Sequence, residues 1–123
     1  MPPRKLCILI IDDNIDAAHS LGALCEHLGH DVDLAYDGTS GLEAARRLRP
    51  DIVFADLALP GIDGYEVARL LRAESPRRDL VLIAVSGFGN EDDRQRSRAA
   101  GFDHHLVKPA DPAFIESLLR RMP

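Results

Sequence analysis

The sequence lacks the features of a disulfide-stabilised or membrane-spanning protein. It contains two cysteines, Cys7 and Cys25, which match neither a disulfide framework nor a metal-site spacing. Both lie within apolar patterns, and this favours buried free thiols. The uninterrupted apolar run 6–11, which no other run exceeds in length, is far shorter than a membrane span, and no signal-peptide cleavage pattern follows it. We therefore expect a soluble protein of the cytoplasm that has no contact with membranes.

The chain also lacks an excess of basic residues. Its 123 residues carry a formal net charge of −5, and its arginines are interspersed with acids at helical spacing. Because a nucleic-acid surface needs a basic stripe, the composition argues against direct nucleic-acid binding. Repeats and low-complexity segments are missing as well. The length fits one domain, and we expect that domain to cover residues 1–123, with 1–4 and the last two residues as tails.

What the chain does contain is a regular alternation of two kinds of apolar segment. Short runs rich in valine, isoleucine and leucine are typical of strands buried on both faces, and the longer stretches between them have helical spacing. The predicted strands are 6–11, 32–35, 52–55, 80–85 and 105–107, and the predicted helices are 15–28, 39–49, 65–73, 91–100 and one that begins at 112.

The helix ends are marked by glycine, proline and aspartate. Gly29 and Gly101 are expected just after the first and fourth helices, and Asp111 is expected to cap the fifth. We place on core-facing sides Ile15, Ala18, Leu21, Cys25 and Leu28 of the first helix, and Phe114, Ile115, Leu118 and Leu119 of the fifth. The fourth helix is polar over most of its length, so we expect it to bury little and to be comparatively mobile.

Five strand–helix units in strict alternation predict an α/β fold with parallel strands and crossover helices on both faces. We expect a single, doubly wound, five-stranded sheet of the flavodoxin-like type, with strand order 2-1-3-4-5 and five flanking helices. In such a sheet, ligands bind outside the carboxyl ends of the strands.

Polar side chains follow four of the predicted strands at that edge. An isolated aspartate after a strand is usually a helix cap, and an isolated lysine is usually solvated. Here three carboxylates converge, and carboxylates at short range repel one another unless a cation is present. A sparse carboxylate set that shares its cation with water and phosphate oxygens favours Mg²⁺ over Ca²⁺. The converging residues are Asp12, Asp13, Asp56, Ser86 and Lys108.

These residues and their surroundings resemble the receiver domain of two-component response regulators. The resemblance rests on four segments in the expected order and covers essentially the whole chain. The segments are Asp12-Asp13, Asp56-Leu-Ala-Leu-Pro-Gly-Ile-Asp-Gly, Ser86-Gly and Lys108-Pro.

The resemblance implies that Asp56 accepts a phosphoryl group from a phosphohistidine of a histidine kinase or phosphotransfer protein. It implies that Asp13, Asp56 and the backbone carbonyl of Ala58 ligate Mg²⁺, with Asp12 acting largely through water. A receiver of this kind promotes its own phosphorylation and dephosphorylation but is a signalling switch rather than an enzyme. Its partners are the kinase and a downstream effector or covalently linked kinase domains.

The resemblance also implies a switch. Lys108 would hold one phosphoryl oxygen, Ser86 would donate a hydrogen bond to another, and the surface of the fourth helix, fifth strand and fifth helix would shift. Pro109 stands where the family usually has a cis peptide bond. His105 stands where the family often has an aromatic relay residue, so the chain departs from the pattern there.

Two other positions bear on the lifetime of the phosphorylated state. Ala58 stands two residues beyond the acceptor and Phe88 two residues beyond Ser86. Neither side chain can position a hydrolytic water by hydrogen bonding, so we expect slow hydrolysis.

Other functions fit the residues less well. A phosphatase or phosphotransferase with an aspartyl nucleophile usually has a second aspartate where Ala58 stands, and a substrate-capping insertion. A flavin-binding protein would have a loop rich in serine, threonine and glycine where this chain has an acidic one. A receiver fold used only as a docking surface does not explain a complete signature. Whether the domain stands alone or belongs to a hybrid histidine kinase stays open.

Overall fold

The computed structural model describes residues 5–74, 79–87 and 89–122. Strands and helices alternate as predicted. Their bounds are β1 Cys7–Ile11, α1 Ile15–His27, β2 Asp31–Ala35, α2 Gly38–Leu48, β3 Ile52–Asp56, α3 Gly64–Glu74, β4 Val81–Ser86, α4 Glu91–Ala100, β5 His104–Val107 and α5 Pro112–Arg120.

The strands form one five-stranded parallel sheet in the order β2-β1-β3-β4-β5, which confirms the predicted doubly wound topology. The order reverses between β1 and β3, whose register pairs Ile11 with Ala55. Asp12 and Asp56 each come one residue later. The register therefore brings both carboxylates to the same edge of the sheet, at the crevice where an open sheet of this type binds ligands.

The core has two halves, one on each face of the sheet. Alternate strand residues point to opposite faces, so neighbouring residues such as Val53 and Phe54 belong to different halves. Helices α2, α3 and α4 contribute to one half, and helices α1 and α5 contribute to the other. The prediction that strands are buried on both faces holds for the central strands. It is wrong for β2 and β5, which have exposed positions because both strands lie at the edges of the sheet.

Two helical residues predicted to face the core are largely exposed. Ile15, the first residue of α1, is 56% exposed, and Phe114 of α5 is 39% exposed. The rest of the predicted α5 core face is confirmed, since three of its residues are buried at a spacing of three and four: Ile115, Leu118 and Leu119. Phe114 lies about 100° around the helix from Ile115, which turns it away from the sheet.

The helix ends follow the predicted chemistry. Gly29 and Gly101 have left-handed backbones after α1 and α4, and the Asp111 side chain accepts a hydrogen bond from Ala113 N at the start of α5. Helix α4 buries only Ser97 and Ala100, which confirms that it packs thinly.

The cysteines match their prediction in part. Cys25 is a buried free thiol, and burial raises its pKa to about 12, whereas Cys7 is only half-buried. Within the described residues, every helix is too short or too polar to cross a lipid bilayer.

Candidate functional site

Three carboxylates meet at the carboxyl edge of the central strands. One oxygen from each of Asp12, Asp13 and Asp56 lies within 4.8 Å of the others. Asp12 and Asp56 are buried, at 6% exposure each, and Asp13 is exposed to solvent. The site is thus a shallow acidic cleft with two enclosed carboxylates and one at its mouth.

Lys108, just after β5, reaches across to this cleft. Its Nζ lies 2.9 Å from Asp56 Oδ2 and 3.1 Å from Asp12 Oδ2. Burial by itself lowers the pKa of Lys108, but its hydrogen bonds to the two carboxylates outweigh that effect and the pKa is raised. Burial raises the pKa of Asp12, and hydrogen bonds from the Asn14 amide and Lys108 act in the opposite direction. One ammonium therefore faces three carboxyl groups, and the cleft keeps an excess of negative charge.

The backbone orients both buried carboxylates. Asn14 N donates to Asp12 Oδ1 and Ala58 N donates to Asp56 Oδ1, each at 2.9 Å. In both cases the amide belongs to the residue two positions after the aspartate, so the turn leaving the strand fixes the carboxylate. The second oxygen of each is left to face Lys108.

Gly64 allows helix α3 to begin close behind the acceptor strand. A Cβ at this position would collide with the carbonyl oxygen of Asp56 and come within 2.8 Å of Leu57 Cα. Asp63 accepts a hydrogen bond from Glu66 N at 2.9 Å and so caps the start of α3. The segment after Asp56 is therefore held by packing and capping.

Ser86 and His105 lie together on the neighbouring strands β4 and β5. Ser86 Oγ is 2.8 Å from His105 Nε2, and His105 Nδ1 is 3.1 Å from Ser97 Oγ in α4. Lys108 N donates to the Ser86 carbonyl oxygen at 2.7 Å, and the Lys108–Pro109 peptide bond is cis. The structure thus brings the acidic residues and Lys108 into one cluster and joins Ser86 to His105 beside it.

Some features of the site were not predicted, and one predicted feature lies outside the described residues. The bond between Lys108 and Asp12 and the contact of Ser97 with His105 were both missed. The hydropathy pattern of a polar helix does not distinguish a buried serine from an exposed one. The Ala58 residue is exposed beside Asp56, whereas Phe88 lies outside the described residues.

The donor set fits a hard divalent cation. Carboxylate oxygens are the ligands that such ions prefer. Within the described part of the chain, Lys108 is the one cation paired with Asp12 and Asp56, and the exposed Asp13 carboxylate adds a further negative charge. A bound cation would relieve the remaining repulsion.

Comparison with known proteins agrees with the fold. The sequence profile of the response regulator receiver domain matches residues 8–120. The receiver domain of the sensor histidine kinase PA1611 from Pseudomonas aeruginosa PAO1, solved with a magnesium ion in its active-site cleft, is 31% identical with a TM-score of 0.86. The match covers 97% of this chain and 98% of that one.

Two further structures share the fold at lower identity. The chemotaxis protein CheY4 of Vibrio cholerae has a TM-score of 0.89 at 24% identity, over 98% of this chain and 100% of that chain. The signal receiver domain of a DNA-binding response regulator from Colwellia psychrerythraea 34H has a TM-score of 0.88 at 24% identity, over 95% and 97%. No sequence among curated proteins matches the chain. Since the family profile spans nearly the whole chain and the acidic cluster fits a phosphoacceptor site, the chain belongs to the response regulator receiver domain family.

Proposed function

We propose that Asp56 accepts a phosphoryl group from a phosphohistidine of a histidine kinase or phosphotransfer protein. A carboxylate oxygen of Asp56 would attack phosphorus, the bond from phosphorus to the donor imidazole would break, and an acyl phosphate would form. The observation that supports this assignment is the position of Asp56, buried among two other carboxylates with Lys108 Nζ at 2.9 Å.

Asp13, Asp56 and the carbonyl oxygen of Ala58 would hold Mg²⁺, and Asp12 would contribute through water. When bound, Mg²⁺ offsets the negative charge on the group being transferred. The chain's own contribution is to fix the Asp56 carboxylate through the Ala58 amide. The exposed position of Asp13 and Ala58 leaves the mouth of the cleft open to a donor.

Lys108 and Ser86 would convert phosphorylation into a change of surface. The Lys108 ammonium would move from the carboxylates of Asp12 and Asp56 to one phosphoryl oxygen. The Ser86 hydroxyl would donate a hydrogen bond to a second phosphoryl oxygen. Both residues belong to the β4–β5 part of the sheet, so α4, β5 and α5 would respond. That surface would contact a downstream effector or linked kinase domains in the cytoplasm.

The phosphorylated state should be long-lived. Ala58 has no polar side-chain group to orient a water opposite the acyl bond. One missing hydrogen bond of this kind corresponds to about 1 kcal/mol and a several-fold slower hydrolysis. Residues 1–123 would thus act as one domain whose phosphorylated state lasts long enough for a partner protein to bind it.

Phosphorylation with a small donor tests this proposal. Acetyl phosphate or phosphoramidate with Mg²⁺ should add one phosphoryl group that hydroxylamine removes, and a chelator should prevent the addition. Asp56→Asn should abolish it. Asp63→Asn is the matched control, because Asp63 lies in the following turn and asparagine also caps helices. Labelling that survives in Asp56→Asn would overturn the proposal.

A further inference from the structure

Ser97 is the buried polar residue of an otherwise exposed, polar helix. It is 1% exposed, and within the described residues Ala100 is the one other buried member of α4. Its hydroxyl makes two contacts, to the Arg94 carbonyl oxygen at 3.0 Å and to His105 Nδ1 at 3.1 Å. Ser97 therefore joins α4 to the side chain on β5 that contacts Ser86.

The chemistry of these groups fixes the direction of each hydrogen bond. A carbonyl oxygen only accepts, so the single hydroxyl proton of Ser97 is donated to Arg94 O. Ser97 Oγ must then accept from His105 Nδ1–H. In a neutral imidazole the other nitrogen accepts, so His105 Nε2 accepts the hydroxyl proton of Ser86 at 2.8 Å.

We infer that Ser97 is a positioning residue: it selects the Nδ1–H tautomer of His105 and so commits the Ser86 hydroxyl proton to His105 while Asp56 is free. The inference rests on the proposed function. Ser86 has one hydroxyl proton, and a phosphoryl oxygen on Asp56 that accepts it removes the donor from His105 Nε2. Phosphorylation thus breaks the chain Ser86–His105–Ser97 at its first link.

The surroundings of His105 give the released ring space to move. A cavity of about 400 Å³ lies where α4, β5 and α5 meet. Its lining includes Arg94, Ser97, Arg98, Phe102, His105 and Phe114. A ring that leaves Ser86 can rotate into this cavity, and α4, with little other burial, loses its tie to the phosphorylation site.

The tautomer is directly measurable by ¹⁵N NMR of the imidazole nitrogens at about pH 8, above the ordinary range of histidine titration. The chain has five histidines, and His105→Gln assigns the signals of His105. The free protein should show the Nδ1–H tautomer, and beryllofluoride with Mg²⁺ should shift the Nε2 signal. The Nε2–H tautomer in the free protein would overturn the inference.

Ser97→Ala removes the acceptor without enlarging the side chain, and Ser117→Ala, at an exposed position of α5, is the control. In Ser97→Ala, His105 should no longer adopt a single tautomer, and the α4 amides should no longer respond to beryllofluoride. Ser117→Ala should keep both properties. If Ser97→Ala keeps both, Ser97 has only a structural role and the inference is wrong.

The NMR signals of the Ala58 and Asp13 backbone amides distinguish a failure of this inference from a failure of the proposed function. If they shift with beryllofluoride while the wild-type His105 signals do not, the inference fails and the proposed function stands. If beryllofluoride leaves these amides unchanged, the proposed function is overturned, and the link from phosphorylation to His105 with it.

Discussion

At the scale of the residue, Lys108 would have two functions that different measurements can separate. In the described structure its ammonium lies between Asp12 and Asp56 and offsets part of their repulsion. In the proposed phosphorylated state it holds a phosphoryl oxygen. Capture of the phosphoryl group would also draw on Mg²⁺, whereas the connection from that group to β5 would run through Lys108 itself.

Lys108→Ala should therefore still become phosphorylated by acetyl phosphate, at a reduced rate, because Mg²⁺ supplies much of the charge neutralisation. Its amide shifts over α4, β5 and α5 on phosphorylation should be much smaller than in the wild type. Lys5→Ala is the control, since Lys5 forms an exposed pair with Asp31, away from the cleft. Shifts as large as those of the wild type would show that Lys108 does not carry the signal.

His30 provides a test of stability that is independent of the functional site. Its Nδ1 accepts a hydrogen bond from Leu6 N at 3.0 Å, and burial lowers its pKa despite the opposing charge of Asp31. The unfolded chain therefore binds this proton more readily than the folded protein. Stability is full above the ordinary histidine pKa and falls as the pH drops below it.

Between about pH 7.5 and pH 5, the free energy of unfolding should fall more steeply for the wild type than for His30→Asn. Asparagine retains an acceptor near the Nδ1 position but does not titrate. Urea unfolding at each pH measures the difference. Parallel curves for the two proteins would show that His30 does not contribute to the pH dependence.

At the scale of the element, α4 is stabilised mainly at its ends. The Asn90 side chain accepts a hydrogen bond from Asp93 N, acidic residues fill the first turn, and Gly101 takes the left-handed conformation after the last. These local signals explain why both bounds of α4 were predicted correctly. These capping interactions contribute less to stability than burial of apolar side chains does, so α4 is held more weakly than its neighbours.

Native-state hydrogen exchange should therefore show lower protection for the α4 amides than for those of α1 and α3, which bury more of their residues. The measurement compares the free energy of local opening helix by helix. Equal protection in all three helices would contradict this account of α4.

Other element-level features could not be predicted from spacing alone. Hydropathy periodicity identifies an apolar face but shows neither where that face leaves the sheet nor how wide its buried part is, which is why Ile15 and Phe114 were placed on the core side. In the same way, the composition of β2 and β5 is compatible with a central strand, and their exposure follows from their places at the sheet edges. The contact of Ser97 with His105 depends on how α4 packs against β5.

At the scale of the whole molecule, topology assembles the cleft from distant segments. Parallel pairing of β1 with β3 and of β4 with β5 brings Asp12, Asp56, Ser86 and Lys108 to one edge. This gathering was predictable, because alternating segments imply the sheet and the strand ends then imply the site. The fold places like charges together, and their repulsion opposes folding unless a cation binds.

Asp13→Asn should thus raise the melting temperature in the absence of Mg²⁺ by a few degrees, since Asp13 adds charge that Lys108 does not pair with. Millimolar Mg²⁺ should raise the melting temperature of the wild type, and should do so less for Asp13→Asn. Asp33→Asn, an exposed change in β2, is the control. A wild-type melting temperature that does not respond to Mg²⁺ would show that the acidic cleft does not bind the ion.

The most direct test of the central claim is chemical mapping of the acceptor. Borohydride reduces an aspartyl phosphate to homoserine, so the protein is phosphorylated with phosphoramidate and Mg²⁺, reduced, digested and sequenced by mass spectrometry. The account predicts homoserine at position 56, with aspartate retained at Asp12, Asp13 and Asp63. Homoserine at another aspartate, or phosphorylated protein that yields none, would contradict it.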